Sequence, residues 1–182
     1  NLAELVKKND YCIGTGFPGT PYILFALADN GYVDVAYKML LNQKCPSWLY
    51  EVKMGATTIW ERWDGLDENG NCPIGDDGTD LMISYNHYAS GAVGDFFYKR
   101  ILGLEPIEAG YKKFQVKPVL GGDLHQANGY VDTPYGRILV SWENRDGFSI
   151  RVVVPEKTEC NLVLPNGVVE VLTGGEYERK MN

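Results

Sequence analysis

Residues 86–110, "NHYASGAVGDFFYKRILGLEPIEAG", contain the point at which the periodicity of the chain changes. From Ala89 to Ile101, apolar residues recur at helical spacing and form one apolar face, which predicts a helix. Gly103 is a typical residue after a helix end, and Pro106 and Gly110 break any continuation. We therefore predict a helical domain over residues 1–103 and a different domain over residues 104–182.

Downstream of this boundary the apolar residues alternate, as they do in half-buried strands. The segment "GRILVSWENRDGFSIRVVVP" (136–155) predicts two strands joined by the turn "NRDG", and "NLVLPNGVVEVLTGG" (161–175) predicts a second hairpin around "PNG". "YKKFQVKPVL" (111–120) and "ANGYVDTPYG" (127–136) add two short strands. Several short strands with such turns predict a small antiparallel β-sandwich.

Upstream of the boundary the pattern is helical. "TPYILFALADNG" (20–31) has Thr20 as a candidate N-cap and Gly31 beyond its end, and "VDVAYKMLLNQ" (33–43) follows at once. The pair predicts an αα-hairpin with a short turn. The predicted fold class is therefore α+β, with helices first and a β-sandwich second.

Composition excludes several classes of partner. The 182-residue chain has a formal net charge of −7 and no Lys/Arg-rich run, which disfavours nucleic acid and anionic membrane surfaces. No apolar stretch reaches the roughly 18 residues of a membrane span. The four cysteines form no C-x-x-C pair and the two histidines are far apart, so we predict no metal site. The compartment stays open, and the absence of an initial Met leads us to expect a segment of a longer protein.

The segment "GATTIWERWDG" (55–65) presents one carboxylate among aromatic residues. Thr58 and Glu61 match the capping box S/T-x-x-E, which predicts a helix start. Alternatively, Trp60 and Trp63 offer flat apolar faces to the C–H face of a sugar ring, and Glu61 performs acid–base chemistry between them. The spacing permits both interpretations.

Two further motifs have a structural and a functional interpretation. Gly14, Gly16 and Gly19 spell G-x-G-x-x-G, but no buried strand precedes them and Pro18 removes an N–H, so we interpret them as a loop before a helix. His87, in "SYNHY" (84–88), is either a local capping or packing group or, if it shares a cleft with Glu61, a partner for a sugar hydroxyl.

Two of these motifs together carry a resemblance. T-x-W-E-R-W (58–63) followed by N-H-Y-x-x-G-A-V (86–93) resembles the C-terminal part of bacterial α-L-rhamnosidases, inverting glycoside hydrolases with an (α/α)6 barrel. The region from "YKKFQVKPVL" to Trp142 is similar to the small β-sandwich that follows that barrel. The resemblance implies that residues 1–103 are the last helices of the barrel and residues 104–182 the β-sandwich.

The resemblance also implies roles for residues. Glu61 matches the general base that activates water, and His87 matches a histidine that lines the rhamnose subsite. Trp60, Trp63 and Asn86 lie in the same motifs and are expected to be pocket or supporting groups. The family's general acid lies in an earlier motif like D-C-P-x-R-x-E-R-x-G-W, of which "NCPIGDD" (71–77) shares only Cys-Pro.

We therefore predict that this chain contributes half of an active site. We expect a parent protein that cleaves terminal α-L-rhamnosyl linkages with inversion and without a cofactor, and an isolated chain that is inactive. The alternatives are a carbohydrate-binding or structural module without activity and a six-hairpin glycosidase of other specificity. Barrel helices without their neighbours expose apolar faces, so we also expect association with the rest of the barrel or self-association.

Overall fold

A computed structural model describes residues 1–181. It divides into two compact units, Asn1–Gly94 and a second that begins at Asp95. The helices are α1 (Leu2–Lys8), α2 (Ile23–Ala28), α3 (Val33–Leu40), α4 (Trp48–Lys53), α5 (Tyr88–Gly91) and α6 (Val93–Phe96), followed by a π-helical turn (Phe97–Leu102) and, after β1, a 3-10 turn (Ala109–Tyr111). The strands are β1 (Leu104–Pro106), β2 (Lys113–Val116), β3 (Gln126–Thr133), β4 (Gly136–Asn144), β5 (Phe148–Val163) and β6 (Val169–Met181).

Helices α2 and α3 form the predicted αα-hairpin. Gly31 takes the left-handed conformation, with φ of 86°, and the Tyr32 amide donates to the Leu27 carbonyl at 2.9 Å. A glycine tolerates this backbone without the strain of a side chain. The buried residues of the pair make its core: Ile23, Leu24, Leu27, Ala28, Val35, Ala36, Tyr37, Met39 and Leu40.

The predicted cap of α2 is wrong in its position. The helix begins at Ile23, and the Thr20 hydroxyl donates to the Gly16 carbonyl at 3.1 Å instead of accepting from a helix amide. The Thr20 amide also donates to Gly16, at 3.1 Å, so this residue closes a turn of the glycine-rich loop. The loop therefore uses the polar groups that the sequence pattern assigned to the helix.

The predicted helix from Ala89 to Ile101 is present but interrupted. It consists of α5, α6 and the π-helical turn, and it ends at Gly103 as predicted. The break between α5 and α6 is at Ala92, directly after Gly91, and the backbone freedom of a glycine weakens a continuous helix.

The strands form one six-stranded sheet in the order β1-β2-β5-β4-β3, with β6 also paired to β5. Both predicted hairpins, β4–β5 and β5–β6, are confirmed as antiparallel pairs. A register shift between Val154 and Glu159 divides β5, so its first part pairs with β4 and its second part pairs with β2. The β2–β5 pair is parallel and the other pairs are antiparallel. This bend curls the sheet around its own apolar face.

The core of this unit is aliphatic and aromatic. Its most deeply buried side chains are Leu104, Phe114, Val116, Ile138, Val140, Val152, Cys160 and Leu162. The Trp142 indole donates to the Ile101 carbonyl at 2.8 Å. Gly103 has φ of 83°, and a Cβ at this residue would lie 2.3 Å from the Pro118 nitrogen. The turn from the π-helical segment into β1 thus requires glycine.

Residues 1–181 contain neither a candidate membrane-spanning helix nor a cluster of candidate metal ligands. None of the helices in this part of the chain has the length and apolar character to cross a membrane. Within the same residues, no three or more His, Cys, Asp or Glu side chains are grouped so that they could hold a metal ion.

Candidate active site

The candidate site lies in the first unit, where two irregular segments are held side by side. The Glu61 amide donates to the Ser84 carbonyl at 2.8 Å, and the His87 amide donates to the Ile59 carbonyl at 2.8 Å. The Thr58 hydroxyl donates to the Tyr85 carbonyl. These bonds join residues 58–61 to residues 84–87, so the two predicted motifs are adjacent in the fold.

The capping box predicted at Thr58 and Glu61 is wrong. Residues 61–66 form turns and bends, and no helix begins there. The Thr58 hydroxyl is used by Tyr85, and Glu61 Oε2 accepts from the Ser84 amide at 2.9 Å. Both side chains bond to the neighbouring segment, and this tertiary pairing replaces the local cap that the spacing permitted.

The Glu61 carboxylate has one occupied and one available oxygen. Oε2 is held by the Ser84 amide, whereas Oε1 accepts no hydrogen bond from residues 1–181. The side chain lines a cleft of about 380 Å³, within the usual range for a small-molecule site. A carboxylate fixed by one oxygen and open at the other is suited to accept a proton from water.

Both aromatic and charged side chains line this cleft. Trp63 packs edge-to-face against Trp48, with 5.4 Å between ring centroids. Arg62 makes two hydrogen bonds of 2.9 Å to Asp64 and lowers the pKa of that carboxyl. The lining residues are Thr15, Gly16, Phe17, Thr20, Glu61, Arg62, Trp63, Asp64 and Ser90.

His87 reaches the cleft wall through an aromatic contact. Its ring stacks on Phe17, which lines the cleft, with 4.4 Å between centroids. His87 Nδ1 accepts from the Ala89 amide at 3.3 Å, so His87 is the N-cap of α5. A neutral ring that accepts through Nδ1 carries its proton on Nε2, which leaves an N–H donor for another group. The structural and functional interpretations of His87 are therefore compatible.

Trp60 and Asn86 occupy different positions from the other candidates. Trp60 is buried, and its ring packs edge-to-face on Tyr85 at 5.4 Å. The Asn86 side chain is exposed, and the main-chain amide of Asn86 donates to the Ser84 hydroxyl at 3.3 Å. Of the five predicted site residues, Glu61 and Trp63 line the cleft, His87 lies behind Phe17, and Trp60 and Asn86 are outside its lining.

Sequence reasoning missed the glycine-rich loop as part of the site. Thr15, Gly16 and Phe17 line the same cleft as Glu61. The G-x-G-x-x-G spacing suggests either a nucleotide-binding loop or a loop before a helix, whereas Phe17 within the motif is a residue that lines the cleft. Glu51 was also missed, because its burial inside α4 leaves no trace in the sequence pattern.

Models of known protein families match both parts of this chain. The family model described as the bacterial alpha-L-rhamnosidase 6 hairpin glycosidase domain matches residues 1–101, more than half of the chain. The chain belongs to the bacterial α-L-rhamnosidase family. The model of the bacterial alpha-L-rhamnosidase C-terminal domain matches residues 103–179.

Curated α-L-rhamnosidases are similar along nearly the whole chain. One from Formosa agariphila is 39% identical over 173 residues, which cover 94% of this chain and 18% of that protein. One from Alteromonas sp. (strain LOR) is 40% identical over 166 residues, covering 90% of this chain and 17% of that protein. The chain thus spans less than a fifth of these α-L-rhamnosidases.

Solved α-L-rhamnosidase structures share the fold. The enzyme from Aspergillus terreus superposes with a TM-score of 0.90 at 38% identity, covering 98% of this chain and 20% of that chain. The Streptomyces avermitilis enzyme, solved in complex with L-rhamnose, gives 0.89 at 32% identity, covering 98% of this chain and 19% of that chain. The predicted family and the predicted α+β fold, barrel helices followed by a β domain, are confirmed, and this β domain is one curled sheet with a parallel β2–β5 pair.

Proposed function

We propose that this chain is part of a glycoside hydrolase that cleaves terminal α-L-rhamnosyl linkages with inversion, with Glu61 as the general base. The observation that carries the proposal is the Glu61 carboxylate, which the Ser84 amide holds through Oε2 while Oε1 faces no protein donor among residues 1–181. An inverting glycosidase needs such a carboxylate to take a proton from the attacking water.

The general acid of the proposed reaction lies outside this chain. Asp64 lines the same cleft, but Arg62 lowers its pKa and keeps it ionised, so it has no proton to give. Glu51 is fully buried and does not line the cleft. An inverting pair of carboxyl groups stands about 6.5–9.5 Å apart, with water between one of them and the sugar. We therefore assign the acid to an earlier part of the parent protein.

The cleft walls favour a deoxy sugar. Rhamnose carries a methyl group and a C–H face that pack well on aromatic rings, and Trp63 and Phe17 supply such rings here. We assign His87 Nε2–H to a rhamnose hydroxyl. Trp60 supports the Glu61 segment from inside, and Asn86 is assigned to the outer rim. The complex of the similar Streptomyces avermitilis enzyme with L-rhamnose supports this choice of sugar.

The rest of the parent barrel is the proposed partner of the first unit. Leu5, Met82 and Tyr88 expose 64%, 100% and 84% of their surface, which is high for such residues. The expected arrangement is that other barrel helices cover them. Self-association of the isolated chain is the competing outcome, and light scattering of the chain and of the parent distinguishes the two.

The test uses the full-length parent with an aryl α-L-rhamnoside. Glu61→Gln is expected to lower kcat by about 10²–10⁴-fold, the usual contribution of general base catalysis. Glu68→Gln, which removes an exposed carboxylate of the same unit, is the control and should leave kcat unchanged. NMR of the first product should show the β-anomer. Retained activity in Glu61→Gln removes this residue from the mechanism, and binding of rhamnose without turnover favours the carbohydrate-binding alternative.

A further inference from the structure

A second glutamate lies ten positions before Glu61 and is completely enclosed. Glu51, on α4, has no exposed surface. Glutamate is seldom fully buried without an ionic partner, because removing its charge from water is costly. No salt bridge to Glu51 is formed by residues 1–181, so its burial calls for another explanation.

Glu51 holds the segment that leads to Glu61 at two points. Its Oε2 accepts from the Trp60 amide at 3.0 Å, and its main-chain carbonyl accepts from the Ala56 amide at 3.0 Å. Helix α4 is thereby joined to both ends of the loop 56–60. Glu51 Oε1 is buried without a partner in the described part of the chain.

The main-chain amides of Trp60 and Glu61, in two consecutive peptides, donate to different segments. The Trp60 amide donates to Glu51, and the Glu61 amide donates to Ser84 at 2.8 Å. The backbone that carries the Glu61 side chain is therefore fixed between α4 and residues 84–87. Losing either partner frees one of these two peptides.

We propose that Glu51 is a positioning residue for Glu61: its buried carboxyl holds the Trp60 amide and so fixes the backbone that presents the Glu61 carboxylate to the cleft. The proposal rests on the proposed function of Glu61 as a general base. Glu51 itself lies outside the cleft lining and touches no substrate.

The charge of this carboxyl makes the positioning sensitive to pH. Burial raises the pKa of Glu51 to about 7, and the hydrogen bond from Trp60 acts weakly in the opposite direction. Glu51 also interacts electrostatically with the Cys45 thiol, whose pKa is raised by burial first and by Glu51 among smaller causes. Neutral Glu51 packs inside the unit, whereas the ionised form is an unpaired buried charge that favours opening of residues 56–60.

The test compares two replacements of Glu51 in the full-length parent. Glu51→Gln keeps an acceptor for the Trp60 amide and removes the ionisation, whereas Glu51→Leu removes both. We expect Glu51→Leu to lower kcat at least tenfold while its KM stays within threefold of wild type. For Glu51→Gln, we expect both kcat and KM to stay within threefold of wild type. Glu68→Gln is the control for loss of a carboxylate.

Hydrogen exchange of the peptide covering residues 56–61 gives a readout independent of activity. At pH 6, Glu51→Leu should exchange at least tenfold faster than wild type, and Glu51→Gln should not. After correction for the intrinsic rate, wild type should lose protection between pH 6 and pH 8, and Glu51→Gln should keep it. If Glu51→Leu does not fold, the comparison of wild type with Glu51→Gln between pH 6 and pH 8 tests the proposal by itself.

Two results would overturn the proposal: wild-type exchange and kcat in Glu51→Leu, or an equal loss in Glu51→Gln and Glu51→Leu. A parent protein without rhamnosidase activity would overturn the proposed function but leave the exchange experiment valid. A Glu61→Gln variant that is inactive beside a fully active Glu51→Leu variant would retain the base and reject the positioning.

Discussion

Ser84 and Glu61 exchange two hydrogen bonds through the main chain of Ser84: the Glu61 amide donates to the Ser84 carbonyl at 2.8 Å, and the Ser84 amide donates to Glu61 Oε2 at 2.9 Å. One residue therefore fixes both the backbone and the carboxylate of Glu61. The relationship joins two motifs that are more than twenty residues apart in sequence.

Removing the Ser84 amide should impair the Glu61 carboxylate. Ser84→Pro deletes the N–H that donates to Oε2, and a hydrogen bond to a charged group contributes about 1.5–3 kcal/mol. We expect kcat on an aryl α-L-rhamnoside to fall by about 10- to 100-fold in the parent. Ser84→Ala keeps the N–H and should stay near wild type. Equal activity of the two variants would contradict a role for this bond.

Phe17 should contribute to substrate binding through His87. The two rings stack with 4.4 Å between centroids, and an aromatic pair of this kind contributes about 0.5–1.5 kcal/mol. Phe17→Ala is expected to raise KM by about 2- to 10-fold, because the His87 ring loses its support. Phe97→Ala removes a comparably exposed phenylalanine of the second unit and is the control. An unchanged KM in Phe17→Ala would exclude Phe17 from the sugar site.

Gly103 should be the least replaceable glycine of the second unit. Its Cβ position lies 2.3 Å from the Pro118 nitrogen at φ of 83°, whereas Gly167 has φ of 85° and nothing within 4 Å. Gly167→Ala should cost only the left-handed strain, about 1–2 kcal/mol of unfolding free energy. Gly103→Ala adds a backbone clash, and we expect a cost above about 3 kcal/mol. Denaturant unfolding of both variants measures the difference, and equal losses would contradict the clash.

Glu51 should make the first unit less stable as pH rises. The folded pKa of about 7 lies above the ordinary value of 4.5, so between these pH values the unfolded carboxyl loses its proton while the folded one keeps it. The unfolding free energy therefore falls across this window, by up to about 3 kcal/mol at about 1.4 kcal/mol per pH unit. Below pH 4.5 and above pH 7, Glu51 does not make the unfolding free energy depend on pH.

Thermal unfolding between pH 4 and pH 8 measures this contribution. Glu51→Gln should remove the slope that wild type shows between pH 4.5 and pH 7, and Glu68→Gln should retain it. A slope that is the same in Glu51→Gln and wild type would show that Glu51 ionises normally in the folded protein.

Local patterns in the sequence predicted the elements that depend on neighbours in the chain. The stop at Gly103, the short turn at Gly31 and the hairpins around β5 follow from spacing and turn residues. Each of these features is set within about ten residues, which is the range over which periodicity and capping act.

Features that depend on distant residues could not be read in the same way. Thr58 and Glu61 match a capping box, but their side chains form hydrogen bonds with residues 85 and 84 instead. The parallel β2–β5 pair places Phe114 beside Cys160. These two residues are far apart in the sequence, and no local pattern predicts that they pair. The burial of Glu51 likewise arises from packing around α4 and not from its sequence neighbours. Only the combined order of two motifs, through their family resemblance, pointed to the site itself.

Both groups of Ser84 that bond to Glu61 belong to the main chain: its carbonyl accepts from the Glu61 amide, and its amide donates to Glu61 Oε2. Any residue except proline offers the same two groups at position 84. The side chain at position 84 is thus free to change during evolution while the Glu61 carboxylate stays in place. Variation at this position therefore does not require rebuilding the frame that holds the proposed base.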